Sequence, residues 1–338
     1  TTSNKVSKMI GWVIEVGDIF GRQLKKKKMD SILISGGAGF IGTNITNKLI
    51  KQGHRVIILD NFLPQVHSGD VETIDGVKYI FGCVSDKECW KEALSYEPKY
   101  IIHLASETGT GQSMEELSQY TKTNILGTSV MLECLNTIPN SVERIILSSS
   151  RAVYGEDKNI EDSKLNPVSI YALTKLTQED LLKLSSPIPY IILRYQNVYG
   201  PGQSLNNPYT GIISIFSKRF SQNKDIEIWD NGEPTRDFVY IDDVADFTIL
   251  NLKSEHNNEI FNVGTGQNVK IYDVAVELRD LINKDCKIEI TDYHRDGDVI
   301  HAVGNMEKTF NNFDWRPQYD IKKGIQYFTE YFMNTEGI

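Results

Sequence analysis

Tyr171 and Lys175 are spaced i, i+4, so a helix opening near Tyr171 puts both on one face. A phenol with a reference pKa near 10 is a poor base at neutral pH. A neighbouring ammonium, joined by positive charge on a bound group, would stabilise the phenolate and lower that pKa. The phenolate could then take the proton of a substrate hydroxyl while hydride leaves the same carbon. Ser148-Ser149-Ser150 follows an apolar strand, and Ser150 is the candidate that holds the substrate oxygen. Alone, a tyrosine and a lysine at this spacing are usually a surface pair. The chemistry therefore needs a hydride carrier nearby.

Gly36-Gly-Ala-Gly39-Phe-Ile-Gly42 supplies a seat for one. It follows the apolar run Ser31 to Ile34, which reads as a buried parallel strand, and precedes Thr43 to Lys51, which reads as a helix. Small residues at Gly36, Gly39 and Gly42 allow a tight turn, close approach of a pyrophosphate, and packing of helix on strand. The helix N-terminus offers N–H groups and partial positive charge to the anion. A second apolar strand, Arg55 to Leu59, ends in Asp60, roughly 20 residues beyond the turn. A carboxylate there accepts from both ribose hydroxyls of NAD and repels the 2′-phosphate of NADP. The expected cofactor is NAD.

Further strand-like runs at Val77 to Phe81, Tyr100 to Leu104, Arg144 to Ser148 and Tyr190 to Leu193 alternate with amphipathic stretches at Asp86 to Ser95, Tyr120 to Leu135 and Tyr171 to Leu184. This rhythm predicts an α/β fold, a doubly wound parallel sheet of Rossmann type with helices on both faces. Ligands of such sheets bind beyond the C-terminal strand ends. Beyond Arg194 the rhythm loosens into Gly, Pro and Asn clusters, and a smaller α/β lobe is expected to close over the cofactor. The boundaries read as an extension over 1–28, a cofactor domain over 29–195, and a substrate lobe over 196–338 with segments returning to the first domain.

With 338 residues, 40% of them hydrophobic, the chain can bury a large core. A net charge of −9 argues against a general nucleic-acid binder. Four cysteines without metal-ligand spacing read as free thiols in a reducing cytosol, so a cytoplasmic location is expected and no metal site. No apolar run reaches the ~18 residues of a membrane span. In 1–28, a partly apolar stretch is interrupted by Glu15 and Asp18 and followed by Lys25 to Lys28, unlike a signal peptide. The lysine run reads as a solvated linker, with contact to an anionic membrane as the alternative.

The motifs, in this order, resemble the extended short-chain dehydrogenase/reductase family of nucleotide-sugar epimerases and dehydratases. They are GGAGFIG (36–42), His103-Leu-Ala-Ser106, Asn124-Ile-Leu-Gly-Thr128, SSSRAVYG (148–155), YALTK (171–175), RYQNVYGPGQ (194–203), RDFVYIDDVA (236–245) and FNVGTG (261–266). The resemblance implies a catalytic set of Ser150, Tyr171 and Lys175. It implies a cofactor site of Gly36, Gly39, Phe40, Ile41, Gly42, Asp60, Asn61, Leu104, Ala105, Ser106 and Lys175, with Asp86 on the adenine. Asn197, Arg236 and Arg295 would hold the substrate diphosphate, a task suited to guanidinium. Where the dehydratases of this family carry Thr-Asp-Glu, this chain has Ser150-Arg151-Ala152, so elimination of water is not expected.

Asp60 to His67, Gly109 to Met114 and Asn207 to Phe216 look like segments of the dTDP-L-rhamnose 4-epimerase group, and would put Gln112 and Ser113 near the sugar. The expected activity is NAD-dependent 4-epimerisation of a dTDP-6-deoxyhexose. The alternative is an NAD(P)H-dependent 4-ketoreductase using the same residues; a binding module without turnover is disfavoured by the intact Ser150, Tyr171 and Lys175. The family commonly pairs subunits through two helices, here near Met114–Asn136 and Tyr171–Leu184, so a homodimer is expected.

Overall fold

The computed structural model describes residues 29–67, 73–156, 159–207, 209, 211–294 and 299–338. The extension over 1–28 and Arg295 lie outside the described residues. Six parallel strands run in chain order: β1 (Ser31–Ser35), β2 (Arg55–Asp60), β3 (Lys78–Phe81), β4 (Tyr100–His103), β5 (Arg144–Ser150) and β6 (Tyr190–Tyr195). A seventh, Glu259–Val263, pairs in parallel with the far side of β6. The sheet order is Glu259–Val263, β6, β5, β4, β1, β2, β3. The order reverses between β1 and β4, the point where such sheets open a crevice for ligands.

Alternation along each strand feeds two cores. Ile32, Ile34, Val56, Ile58 and Ile102 face one side, where α1 (Phe40–Lys51) packs through Ile45 and Leu49. Leu33, Ile57, Leu59, Ile101, Ile145 and Leu147 face the other, against Trp90, Met131 and Leu135. Burying each of these aliphatic side chains contributes about 1.5–3 kcal/mol, so the sheet is apolar on both faces. A third core, around Phe216, Phe220, Ile226, Ile228, Leu278, Phe328 and Phe332, builds a smaller lobe beside the sheet.

In-register pairing aligns the strand ends. Ser35 lies opposite His103, His103 opposite Leu147, and Ser150 opposite Tyr195. The glycine turn, the loop after β4 and the serine run therefore open on one edge. Helix Ile170–Ser185 returns along β5, its N-cap Ser169 Oγ accepting from Ala172 N at 3.1 Å. The stretch read as one helix from Tyr120 is in three parts: Leu117–Tyr120, a π-helical turn over Thr121–Leu126, and Gly127–Thr137. Among the described residues no helix is long and apolar enough to cross a membrane. No group of three or more metal-ligating side chains is present among them.

Candidate active site

A cleft of about 1360 Å³ lies along the C-terminal strand ends and reaches into the smaller lobe. That exceeds the space of a single small-molecule pocket and suits a dinucleotide together with a second ligand. Its floor begins at the glycine turn. Gly36 has φ +70°, and a Cβ there would sit 2.6 Å from Ala105 N, so only glycine fits. A Cβ on Gly42 would meet Gly37 Cα at 2.5 Å, while one on Gly37 would meet Ile58 of β2 at 2.7 Å. Contact with the strand thus falls to Gly37, and Gly42 packs on the turn itself. Gly39 differs: a Cβ there would meet only Gly36 O, at 3.4 Å, and no side chain caps α1. The turn therefore leaves the helix N-terminus clear for an anion, with Phe40, Ile41 and Gly42 lining the cleft.

Asp60 closes this end. Its carboxylate accepts from Ala38 N at 3.0 Å and Phe62 N at 2.9 Å, and the residue is 7% exposed. The turn and the acid are one hydrogen-bonded unit, which fits a ribose beside a pyrophosphate. Asn61, Leu104, Ala105 and Ser106 line the same cleft. Asp86 does not. It is the N-cap of helix Lys87–Ser95, with Oδ1 accepting from Glu88 N at 2.9 Å, and Gly82, Cys83 and Val84 line the cleft instead. A free helix N–H two residues away occupies its Oδ1.

Ser150, Tyr171 and Lys175 meet midway along the cleft. Ser150 stands beside the Tyr171 hydroxyl and acts to lower its pKa, while its own Oγ accepts from Ala152 N at 3.2 Å. Lys175, 3% exposed, donates from Nζ to Ser148 O at 2.9 Å. Burial brings the Lys175 ammonium down to about pKa 7, with Glu179 opposing the shift. The expected lowering of the Tyr171 pKa is not present in the protein alone. Burial raises it and outweighs the Ser150 hydrogen bond and the positive charge of Arg151. Desolvation acts on both members of the pair, and it favours the neutral forms.

Glu179 and Arg194 were not singled out from the sequence, yet they anchor this centre. Arg194 grips Glu179 bidentately, Nε–Oε1 at 2.8 Å and Nη2–Oε2 at 2.7 Å, and Ser149 Oγ donates to Oε1 at 2.6 Å. Both charged residues are almost fully buried, and Arg194 also lies over the Tyr154 ring at 4.8 Å. The pair ties the Tyr171–Lys175 helix to β5 and β6. The signal was available: Glu179 continues the i, i+4 series of Tyr171 and Lys175.

On the substrate side, Asn197 lines the cleft with a buried Oδ1 that has no hydrogen-bond partner among the described residues. Arg236 also lines it, its Nη1 donating to Thr235 O at 2.8 Å and Ile300 O at 3.0 Å, which aims the guanidinium. Arg219, not anticipated, is a further lining arginine, held by Asp225 O. Gln112 and Ser113 are not in the lining; Thr110 and Gly111 are. Gln112 exchanges amide hydrogen bonds with Gln65 at 3.0 and 3.1 Å, and Ser113 Oγ donates to Thr110 O at 2.6 Å. Both side chains are buried, Ser113 bonding within its own turn and Gln112 tying that turn to Gln65, 47 positions earlier.

Comparison with known proteins agrees with this geometry. Residues 32–264 match the NAD dependent epimerase/dehydratase family. The chain is 36% identical to a dTDP-L-rhamnose 4-epimerase of Burkholderia thailandensis, over 87% of this chain and 92% of that protein. The structure of UDP-glucose 4-epimerase with UDP-glucose from Thermotoga maritima superposes with a TM-score of 0.82 at 31% identity, covering 90% of this chain and 99% of the other. That of Thermus thermophilus UDP-glucose 4-epimerase complexed with NAD superposes with a TM-score of 0.80 at 29% identity, covering 89% and 98%.

Proposed function

The chain belongs to the NAD dependent epimerase/dehydratase family, and from that premise we propose that it inverts C4 of a dTDP-6-deoxyhexose such as dTDP-L-rhamnose through a 4-keto intermediate. The observation that carries this reading is the continuity of one cleft from the Gly36–Gly42 turn, past Ser150, Tyr171 and Lys175, to Asn197 and Arg236. The similarity to the Burkholderia enzyme supports the choice of sugar nucleotide.

Bound NAD supplies the carrier that accepts a hydride from carbon and returns it. The protein's part is proton transfer and positioning. Tyr171 Oη takes the O4 proton and later gives it back, while Ser150 Oγ holds O4 throughout. Lys175, protonated below about pH 7, and Arg151 bring positive charge towards the phenolate. Asp60 orients the ribose, and the open N-terminus of α1 receives the pyrophosphate. Asn197 and Arg236 keep the substrate diphosphate in place while the keto sugar turns its other face; Arg295 belongs to the same proposal on the resemblance alone.

The subunits pair, in this reading, through the helices around Leu117–Thr137 and Ile170–Ser185. Leu117, Leu126, Leu173 and Leu184 are exposed there, between 47% and 85%. Apolar groups so exposed along two neighbouring helices fit a self-complementary interface.

Proton NMR of dTDP-L-rhamnose with the purified protein in D2O tests the reaction. The expected result is a C4 epimer without deuterium at carbon and without net NADH. An unchanged spectrum with folded protein overturns the choice of substrate. Net reduction of a dTDP-4-keto sugar by NADH or NADPH would identify a ketoreductase instead.

A further inference from the structure

Glu107 stands in the loop after β4, one residue past the cleft-lining Leu104–Ser106, and β4 lies next to β5, which carries Ser150. It lines the cleft. A carboxylate in a loop would ordinarily be a mobile, solvated group, but this one is fixed at every level. Asn124 clamps its backbone from both sides, Oδ1 accepting from Glu107 N at 2.8 Å and Nδ2 donating to Glu107 O at 3.2 Å. The same Nδ2 donates to Thr174 Oγ1 at 2.9 Å, and Thr174 Oγ1 donates to Tyr171 O at 2.8 Å. Glu107 is thus coupled through two side chains to the turn of helix that carries Tyr171.

Its carboxylate is held as firmly. Oε1 accepts from Gln119 Nε2 at 2.9 Å and Thr123 Oγ1 at 3.1 Å. Oε2 accepts nothing from the described residues and is not sealed from solvent. Thr123 and Asn124 both come from the π-helical turn over Thr121–Leu126. Such a turn widens the helix by one residue and turns buried side chains towards a partner, and it recurs at functional sites. An acceptor oriented by two donors, with its second oxygen open to a cleft, is built to receive a hydrogen bond from a ligand.

We propose that Glu107 reads the hexose: its Oε2 accepts a hydrogen bond from a ring hydroxyl near C4, and its charge excludes sugars that carry an acid group. The proposal rests on the nucleotide-sugar reading but not on the identity of the base. A fixed anion in a confined site favours a neutral hydroxylated ring and repels a hexuronate.

The test compares dissociation constants and turnover of dTDP-L-rhamnose, UDP-glucose and UDP-glucuronate for the NAD-loaded full chain and its Glu107→Gln variant. Wild type is expected to bind the better neutral sugar nucleotide at least about 10-fold more tightly than UDP-glucuronate. In Glu107→Gln the affinity for that neutral ligand falls by about 10- to 100-fold, the range for a hydrogen bond to a charged group, and the preference over UDP-glucuronate collapses. Glu107→Asp keeps the charge and shortens the reach, so it retains discrimination against UDP-glucuronate while losing affinity for the neutral ligand; it also serves if the glutamine variant does not fold. An unchanged preference in Glu107→Gln, or equal binding of UDP-glucuronate by wild type, overturns the proposal. Preference for UDP-glucose over dTDP-L-rhamnose overturns the dTDP reading alone, with the role of Glu107 still decided by the uronate comparison.

Discussion

Burial drives Tyr171 and Lys175 towards their neutral forms, so the proposed base is quiescent in the protein by itself. In the proposed mechanism its activation requires positive charge assembled beside it, which would link proton transfer to cofactor occupancy. Replacing Tyr171 with Phe is expected to lower kcat by about 10²- to 10⁴-fold, the usual range for a general base, with bound NAD unchanged when measured by absorbance after denaturation. His103 is a second buried titratable group. It bonds Ser35 Oγ at 2.6 Å and Thr128 Oγ1 at 3.0 Å, and burial holds its pKa down at about 3. The unfolded chain binds a proton at this residue below about pH 6.5, whereas the folded chain does not until about pH 3. Its contribution to stability is therefore complete above pH 6.5 and is lost as pH falls towards 3, by at most about 1.4 kcal/mol per pH unit. Urea midpoints for wild type and His103→Gln, taken across that window, should show the smaller slope in the variant. The residue scale also accounts for where two expected side chains stand: Asp86 Oδ1 and Ser113 Oγ bond backbone groups within three residues of themselves.

At the scale of elements, the buried ion pair of Glu179 with Arg194 ties the helix Ile170–Ser185 to β6. Removing one partner leaves the other charge buried and unpaired. Glu179→Ala is expected to cost about 3–5 kcal/mol of unfolding free energy, read from urea denaturation followed by circular dichroism. The glycine turn is a second such element, and its geometry was largely legible: Gly36 occupies the left-handed region and admits no Cβ. The π-helical turn was not legible. Thr121 to Leu126 has an ordinary helical pattern in sequence, and the extra residue is tolerated because Thr123 and Asn124 find partners on Glu107 and Thr174, far away in the chain.

Across the whole molecule, the exposed leucines on two neighbouring helices bear on assembly. Leu173→Glu places a charge on that face, 48% exposed in the single chain. Sedimentation velocity should show a dimeric wild type and a monomeric variant with the same far-ultraviolet spectrum. The edge strand Glu259–Val263 shows how far the chain's own pattern reaches. Its residues Ile260, Phe261 and Val263 make a short apolar run, but its neighbour β6 lies more than sixty positions earlier, and no local feature names that partner. Short-range physics made the strand–turn–helix of the cofactor seat, the Asp60 end and the i, i+4 face of Tyr171 and Lys175 readable from residue types, because each depends on neighbours within a few positions. Which carboxylates and amides face the ligand depended on competition among nearby hydrogen-bonding groups. Asp86 Oδ1 bonds a backbone group two residues away and the Gln112 amide bonds Gln65, 47 positions earlier in the chain, while Glu107 was held facing the cleft by Gln119, Thr123 and Asn124 across a loop. That competition is settled by distances of closest approach, and these exist once the strands, helices and lobes have packed.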